Sequence, residues 1–86
     1  MATSYRLSAR QLDIVDLVAQ GCDNRTIGRE LGISPGTVRN TLSAVYDVVG
    51  RSSRAYLATL YAQGRIPRPP DRRMRPDQPS KPRAIR

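Results

Sequence analysis

The stretch NRTIGRELGISPGTVRNTLSAVYDVVG, residues 24–50, contains two helical patterns separated by a short turn. In the first pattern, Ile27 and Leu31 are four residues apart, so they lie on one face of a short helix. Gly32 interrupts this pattern. Ser34, followed by a proline, begins a second helix, because serine caps helix N-termini and proline is tolerated at the first helical position. A short helix, a tight turn and a longer helix together predict a helix-turn-helix unit.

The longer helix is predicted to span residues 35–49 and to have two different faces. Apolar residues recur at helical spacing and form one buried stripe: Val38, Leu42, Val45 and Val49. The opposite face is polar and carries Arg39, Asn40, Ser43 and Asp47. Such a helix packs through one side and is free to bind through the other. The second helix of a helix-turn-helix unit commonly enters the DNA major groove. In that setting Asp47 is unexpected, because phosphates repel a negative charge.

A first helix is predicted over residues 9–20. Ser8 and Gln11 form a capping box at its start, and Gly21 ends it in a left-handed conformation. Its apolar residues cover one broad arc: Leu12, Ile14, Val15, Leu17, Val18 and Ala19. We expect the polar residues to lie on the other side: Asp13, Asp16 and Gln20.

The short helix over residues 24–31 is predicted to be capped by Asp23 or Asn24. Gly28 lies in its middle, where glycine costs roughly 1 kcal/mol relative to alanine. This cost suggests a packing reason, and the simplest is the close approach of another helix.

A fourth helix is predicted to begin at Ser52 or Ser53 and to end before Gly64. Its apolar residues span more than half of its circumference, whereas packing on one side needs only a stripe of about 100°. The additional apolar surface of this helix favours a second packing contact, such as one with a partner subunit. The alternative is a small core that simply uses an apolar last helix.

The bulk composition points to a polyanionic partner. The chain has 86 residues and a net charge of +8, which limits it to one small domain and favours nucleic acid or, alternatively, an anionic membrane surface. Residues 1–66 hold eight basic and five acidic residues, and residues 67–86 hold seven basic and two acidic residues. The last segment also contains six of the seven prolines. We therefore expect a folded domain over residues 1–66 and a disordered, basic tail over residues 67–86.

Several classes of function are excluded by what the sequence lacks. It has no histidine and a single cysteine, Cys22, so a histidine-based metal site or catalytic pair cannot form. We expect no enzyme activity, no metal and no cofactor. No apolar run approaches the roughly 20 residues that span a membrane, and the N-terminus lacks a signal-peptide pattern. The expected location is the cytoplasm, with association to the nucleoid when the protein is bound to DNA.

Three runs make the assignment more specific: LSARQ (7–11), VAQGCDNRTIGRELGISPGTVRNTLSAVY (18–46) and GRSSRA (50–55). They resemble the LuxR-type, GerE-like helix-turn-helix domain of bacterial regulators. The register G-x-x-N-[KR]-x-I-x-x-x-L-x-I-S-x-x-T-V-[KR] matches at Gly21, Asn24, Arg25, Ile27, Leu31, Ile33, Ser34, Thr37, Val38 and Arg39. The resemblance covers residues 7–66 and implies an all-α, four-helix domain that binds double-stranded DNA and usually acts as a homodimer.

The resemblance also implies roles for particular residues. The family's base-reading positions fall on Arg39, Asn40 and Ser43, and arginine and asparagine make forked contacts with guanine and adenine. Its phosphate-contacting positions fall on Asn24, Arg25, Ser34, Thr37, Thr41 and Arg54. The alternatives are that Ser34 and Asn24 act only as caps and that Arg25 and Arg54 are solvated charges. The family's dimer contact implies an interface at Tyr56, Leu57, Leu60 and Tyr61.

The chain departs from the family in places that leave a second class of function open. The family commonly has a glutamate in place of Gln11, a histidine in place of Thr41, and basic residues around Asp47 and Val48. With only six residues before Leu7, we expect a stand-alone regulator. The alternative is a protein-interaction module that binds another regulator or RNA polymerase. A resemblance to region 4 of sigma factors is less favoured, because no companion sigma domain is present.

Overall fold

The computed structural model describes residues 5–70, and four helices make up its regular structure. They are α1 (Ala9–Ala19), α2 (Asn24–Leu31), α3 (Pro35–Val49) and α4 (Arg54–Ala62). No strand occurs in the described part of the chain, so the predicted all-α class is confirmed. The first helix was predicted one residue too long. It ends at Ala19, and Gln20 forms its C-cap. Most of the predicted tail, residues 71–86, lies outside the described residues.

Side-chain caps explain where the helices begin. The predicted capping box is confirmed: the Gln11 amide donates to Ser8 Oγ at 3.1 Å, and the Ser8 amide donates to Gln11 Oε1 at 2.8 Å. Asp23, rather than Asn24, caps α2, since its carboxylate accepts from the Thr26 amide at 2.8 Å. Ser53 caps α4 in the same manner. Each cap satisfies an amide that would otherwise lack a partner at a helix end.

α1 lies at the centre of the domain and contacts all three other helices, while α2 and α3 pack together as a pair. The core contains residues from every helix and one from the C-terminal segment: Leu12, Ile14, Val15, Leu17, Val18, Ile27, Leu31, Val38, Leu42, Val45, Val49, Leu57, Leu60 and Ile66. The stripe predicted for α3 is entirely buried. The core therefore holds α3 by one side and leaves its other side exposed.

One prediction for α1 was wrong. Asp13 was expected on the solvent side, but its exposed fraction is 0%. The physical reason is that α1 has neighbours on several sides, so its buried surface is wider than the single arc that its apolar residues define.

Gly28 marks the closest approach between α2 and the start of α3. A β-carbon at this position would lie 2.5 Å from the carbonyl oxygen of Ile33 and 3.4 Å from the Pro35 nitrogen. The Ile33 amide also donates to the Gly28 carbonyl at 2.9 Å. The predicted close approach is confirmed, but the neighbour is the backbone of the turn between the helices. Gly32 follows α2 with a φ of 72°, which favours glycine in this turn.

α1 and α4 are joined by a polar contact as well as by apolar packing. The Tyr61 hydroxyl donates to Asp16 Oδ1 at 2.6 Å, and Gln20 Nε2 donates to the other carboxylate oxygen at 2.9 Å. Burial raises the pKa of Tyr61 to about 12, with a further contribution from the hydrogen bond to Asp16 and its negative charge. The phenol is therefore held in its protonated, donating form.

We predict that Gly28→Ala lowers the free energy of unfolding by about 1–3 kcal/mol. The added methyl group meets backbone rather than a flexible side chain, and this overpacking outweighs alanine's better helix propensity. Chemical denaturation followed by circular dichroism measures the change.

The matched control is Gly36→Ala, since Gly36 also lies in a helix but its nearest neighbour would be Ser34 Oγ at 3.8 Å. This variant should be as stable as the wild type, or more stable by up to about 1 kcal/mol. Equal stabilities of the two variants would contradict the close approach.

A second prediction concerns pH. The folded pKa of Tyr61, about 12, lies above the ordinary value of 10.0. The stability from the Tyr61–Asp16 bond is therefore fully present below pH 10 and is lost as pH rises through about 12. An absorbance titration of tyrosinate should show an ionisation near pH 12 that Tyr61→Phe removes and Tyr46→Phe retains. An unchanged titration curve for Tyr61→Phe would refute the assignment.

Candidate nucleic-acid interface

The exposed face of α3 is built by the same periodicity that buries its other face. Arg39, Asn40 and Ser43 are all exposed, whereas Val38 and Leu42 beside them are buried. Residues 39 and 43 are one turn apart, so the three polar side chains form one continuous surface. The structure thus brings the predicted base contacts together on a rigid helix, and their contact with bases stays a prediction.

The N-terminus of α3 presents a second polar group. Ser34 Oγ accepts from the Thr37 amide at 3.0 Å, which establishes Ser34 as the cap of α3. Its hydroxyl also lies 3.0 Å from Thr37 Oγ1, and both residues are exposed. A helix N-terminus carries unpaired N–H groups and partial positive charge, which suit a phosphate. Thr41, one turn further on, is half-buried, and Arg25 on α2 is exposed.

Arg54 differs from the other predicted phosphate contacts because its guanidinium is engaged within the protein. Nη1 donates to Asn24 Oδ1 at 2.8 Å, and Nη2 donates to the Cys22 carbonyl oxygen at 2.6 Å. Two predicted phosphate contacts are thereby joined to each other. The sequence carries no signal for this link, because the partners are 30 residues apart and belong to different helices.

The C-terminal half of α3 has a different character from the first half. Asp47 is exposed, and Val48 is the one large hydrophobic residue that is substantially exposed in residues 5–70, at 46%. This end of the helix therefore offers an acidic and apolar surface, in contrast to the polar surface around Asn40.

The predicted dimer contacts do not form one surface. Leu57 and Leu60 have exposed fractions of 0% and 1%, so they belong to the chain's own core and cannot meet a partner in this conformation. Tyr56 and Tyr61 are half-buried, and the Arg51 guanidinium lies 4.7 Å from the Tyr56 ring centroid. The outer side of α4 carries small residues instead: Ala55, Thr59 and Ala62. The expectation that Leu57 and Leu60 contact a partner is corrected, because their side chains pack against α1 within the chain.

Within residues 5–70, no group of three or more histidine, cysteine, aspartate or glutamate residues could hold a metal ion. None of the helices described combines the length and the apolar character that a membrane crossing requires.

Four helices around one core, with a helix pair that exposes a polar second helix, define a helix-turn-helix domain. Residues 5–61 match the model of the GerE family, described as bacterial regulatory proteins of the luxR family. The chain therefore belongs to the LuxR family, and the resemblance inferred from its motifs is confirmed.

Curated relatives carry names of the same kind. An HTH-type transcriptional regulator of Aeromonas salmonicida, provisionally named from its position in the exeN 3′ region, is 36% identical over 64 residues, which is 74% of this chain and 33% of the relative. The provisionally named HTH-type transcriptional regulator YhjB of Escherichia coli K12 is 40% identical over 57 residues, which is 63% of this chain and 28% of YhjB. The chain thus spans about a third or less of these relatives. No solved structure gives a significant match.

Proposed function

We propose that the protein regulates transcription by binding double-stranded DNA, with α3 in the major groove. The observation that carries this proposal is the exposed surface of Arg39, Asn40 and Ser43 on the second helix of the helix-turn-helix unit. In such units the N-terminal residues of the second helix reach base edges. The arginine fork suits guanine, the asparagine amide suits adenine, and the serine hydroxyl is less selective.

Phosphate contacts would hold this helix in place. We assign them to Asn24 and Arg25 at the start of α2 and to Ser34, Thr37 and Thr41 on α3. Ser34 and Thr37 lie where helix N–H groups and the helix dipole favour an anion. Because residues 1–66 have eight basic and five acidic residues, the folded domain alone has only a modest attraction for DNA. Residues 67–86, with seven basic and two acidic residues, would supply much of the remainder.

Association into a homodimer through α4 remains part of the proposal, with a revised surface. Since Leu57 and Leu60 are buried within the chain, the partner would meet Tyr56, Tyr61 and the small residues on the outer side of α4. Small residues allow two helices to approach closely. A dimer would place two copies of α3 on successive half-sites, as in other helix-turn-helix regulators.

A second candidate function, binding another protein such as a regulator or RNA polymerase, is favoured by one observation. Val48 is 46% exposed and lies beside the exposed Asp47 at the end of α3. A protein surface with apolar and basic groups would complement this end of the helix. DNA binding has the broader support, because Arg39, Asn40 and Ser43 at the N-terminal half of α3 are all exposed and all suit base edges.

We predict that Arg39→Ala lowers the preference for the selected DNA site over random DNA by roughly tenfold or more, because the variant cannot form the forked hydrogen bonds to guanine. Arg39→Lys should lose most of the same preference, since an ammonium group keeps the charge but lacks the planar fork. Competition binding with full-length protein measures both. The control is Arg29→Ala, an exposed arginine on α2. Unchanged selectivity of both Arg39 variants would remove Arg39 from base recognition and would favour the protein-binding function.

The basic tail is expected to contribute to DNA affinity without contributing to sequence preference, unlike α3. Replacing Arg72, Arg73 and Arg75 with alanine in the full chain should lower affinity for all DNA sequences by a similar factor. It should also flatten the dependence of log affinity on log salt, by about 0.9 for each phosphate that the variant no longer neutralises. Gln78→Ala serves as the uncharged control. If the salt dependence of the triple variant equalled that of the wild type, the tail would have no role in DNA binding.

A further inference from the structure

Arg54 joins the start of α4 to the start of α2 through hydrogen bonds. It is the first residue of α4, and α4 does not pack directly against α2. Its side chain spans the gap by donating to Asn24 Oδ1, in the first turn of α2, and to the Cys22 carbonyl oxygen just before that helix. A single guanidinium therefore holds both the turn that leads into α2 and the side chain of the first residue of α2.

This bond determines how the Asn24 amide is oriented. A guanidinium has only N–H donors, so the amide oxygen, and not the amide nitrogen, must face it. The two N–H groups of Nδ2 then point away from Arg54. No protein group in residues 5–70 accepts from them, and Nδ2 is not a buried atom, so they are offered to solvent.

The side chain of Asn24 has no competing role in the fold. Asp23 caps α2 through the Thr26 amide, so Asn24 is not needed as a cap. An isolated asparagine amide would rotate between two orientations, one of which turns its oxygen toward a neighbouring anion. With Oδ1 held by Arg54, only the orientation that presents donors remains.

We propose that Arg54 is a positioning residue for DNA binding: it orients the Asn24 amide so that its N–H groups meet a backbone phosphate. This inference rests on the proposed function. It replaces the expectation that Arg54 acts only as a phosphate contact, because one hydrogen bond from each terminal nitrogen already ties this guanidinium to Asn24 and Cys22.

The test is a double-mutant cycle on DNA affinity, measured with the full chain and a random-sequence duplex at low salt. Asn24→Ala should weaken binding about tenfold, as expected for the loss of hydrogen bonds to a charged group. Arg54→Lys keeps the positive charge but cannot hold both acceptors in one plane, so it should weaken binding nearly as much. In the Asn24→Ala background, Arg54→Lys should then have little further effect.

Asn24→Asp separates positioning from simple support of the fold. The aspartate keeps an oxygen for Arg54, so thermal stability should be retained, but its second oxygen faces the phosphate in place of the N–H donors. Its DNA affinity should therefore fall below that of Asn24→Ala. Gln63→Glu, which adds the same charge at an exposed site, is the control and should lose much less.

Three outcomes are distinguishable. If the wild type binds DNA and the losses from Asn24→Ala and Arg54→Lys multiply, the two residues act independently and the positioning role is overturned. If Asn24→Asp binds as well as Gln63→Glu, the link serves only the fold and the positioning role is again overturned. If the wild type fails to bind any duplex at low salt, the proposed function fails first and the positioning role fails with it.

Discussion

The close approach between Gly28 and the carbonyl oxygen of Ile33 determines how the turn between α2 and α3 packs. A side chain at this position would meet that oxygen at 2.5 Å, so only glycine lets the turn lie against α2. The Ile33 amide then reaches the Gly28 carbonyl, and the two backbones hold each other in place. This contact sets where α3 begins, and the beginning of α3 sets which of its residues face solvent. The close approach at Gly28 therefore helps to place the proposed DNA-contacting surface, together with the buried side of α3.

Much of this fold follows from local patterns in the sequence. Ser8, Ser34 and the glycines after each helix mark the helix ends, and the spacing of Val38, Leu42, Val45 and Val49 gives the buried side of α3. These features depend on neighbours along the chain, so local reasoning finds them. The burial of Asp13 depends on the several neighbours of α1, and the burial of Leu57 depends on the packing of α4 against α1, which no single helical pattern reveals. The bond between Arg54 and Asn24 joins residues 30 positions apart and is found only in three dimensions.

The two halves of α3 expose side chains of different charge and polarity. Its first half exposes groups that can hydrogen-bond to base edges, and its second half exposes Asp47 and Val48, which suit a DNA backbone poorly. In the proposed mechanism, attraction to DNA comes mainly from the start of α2, the N-terminus of α3 and the basic residues after position 66. Because the chain spans about a third or less of the relatives named above, the proposed role in transcription rests on the residues of this domain.

In the proposed function, the N-terminal half of the exposed face of α3 contacts DNA. The most direct measurement is a map of backbone amide chemical shifts for the full chain, free and bound to a duplex selected from a random library. The largest changes are expected over residues 37–43 and at the start of α2, while the amides of α1 should change little. Changes centred on Asp47, Val48 and α4, with residues 37–43 unaffected, would contradict it.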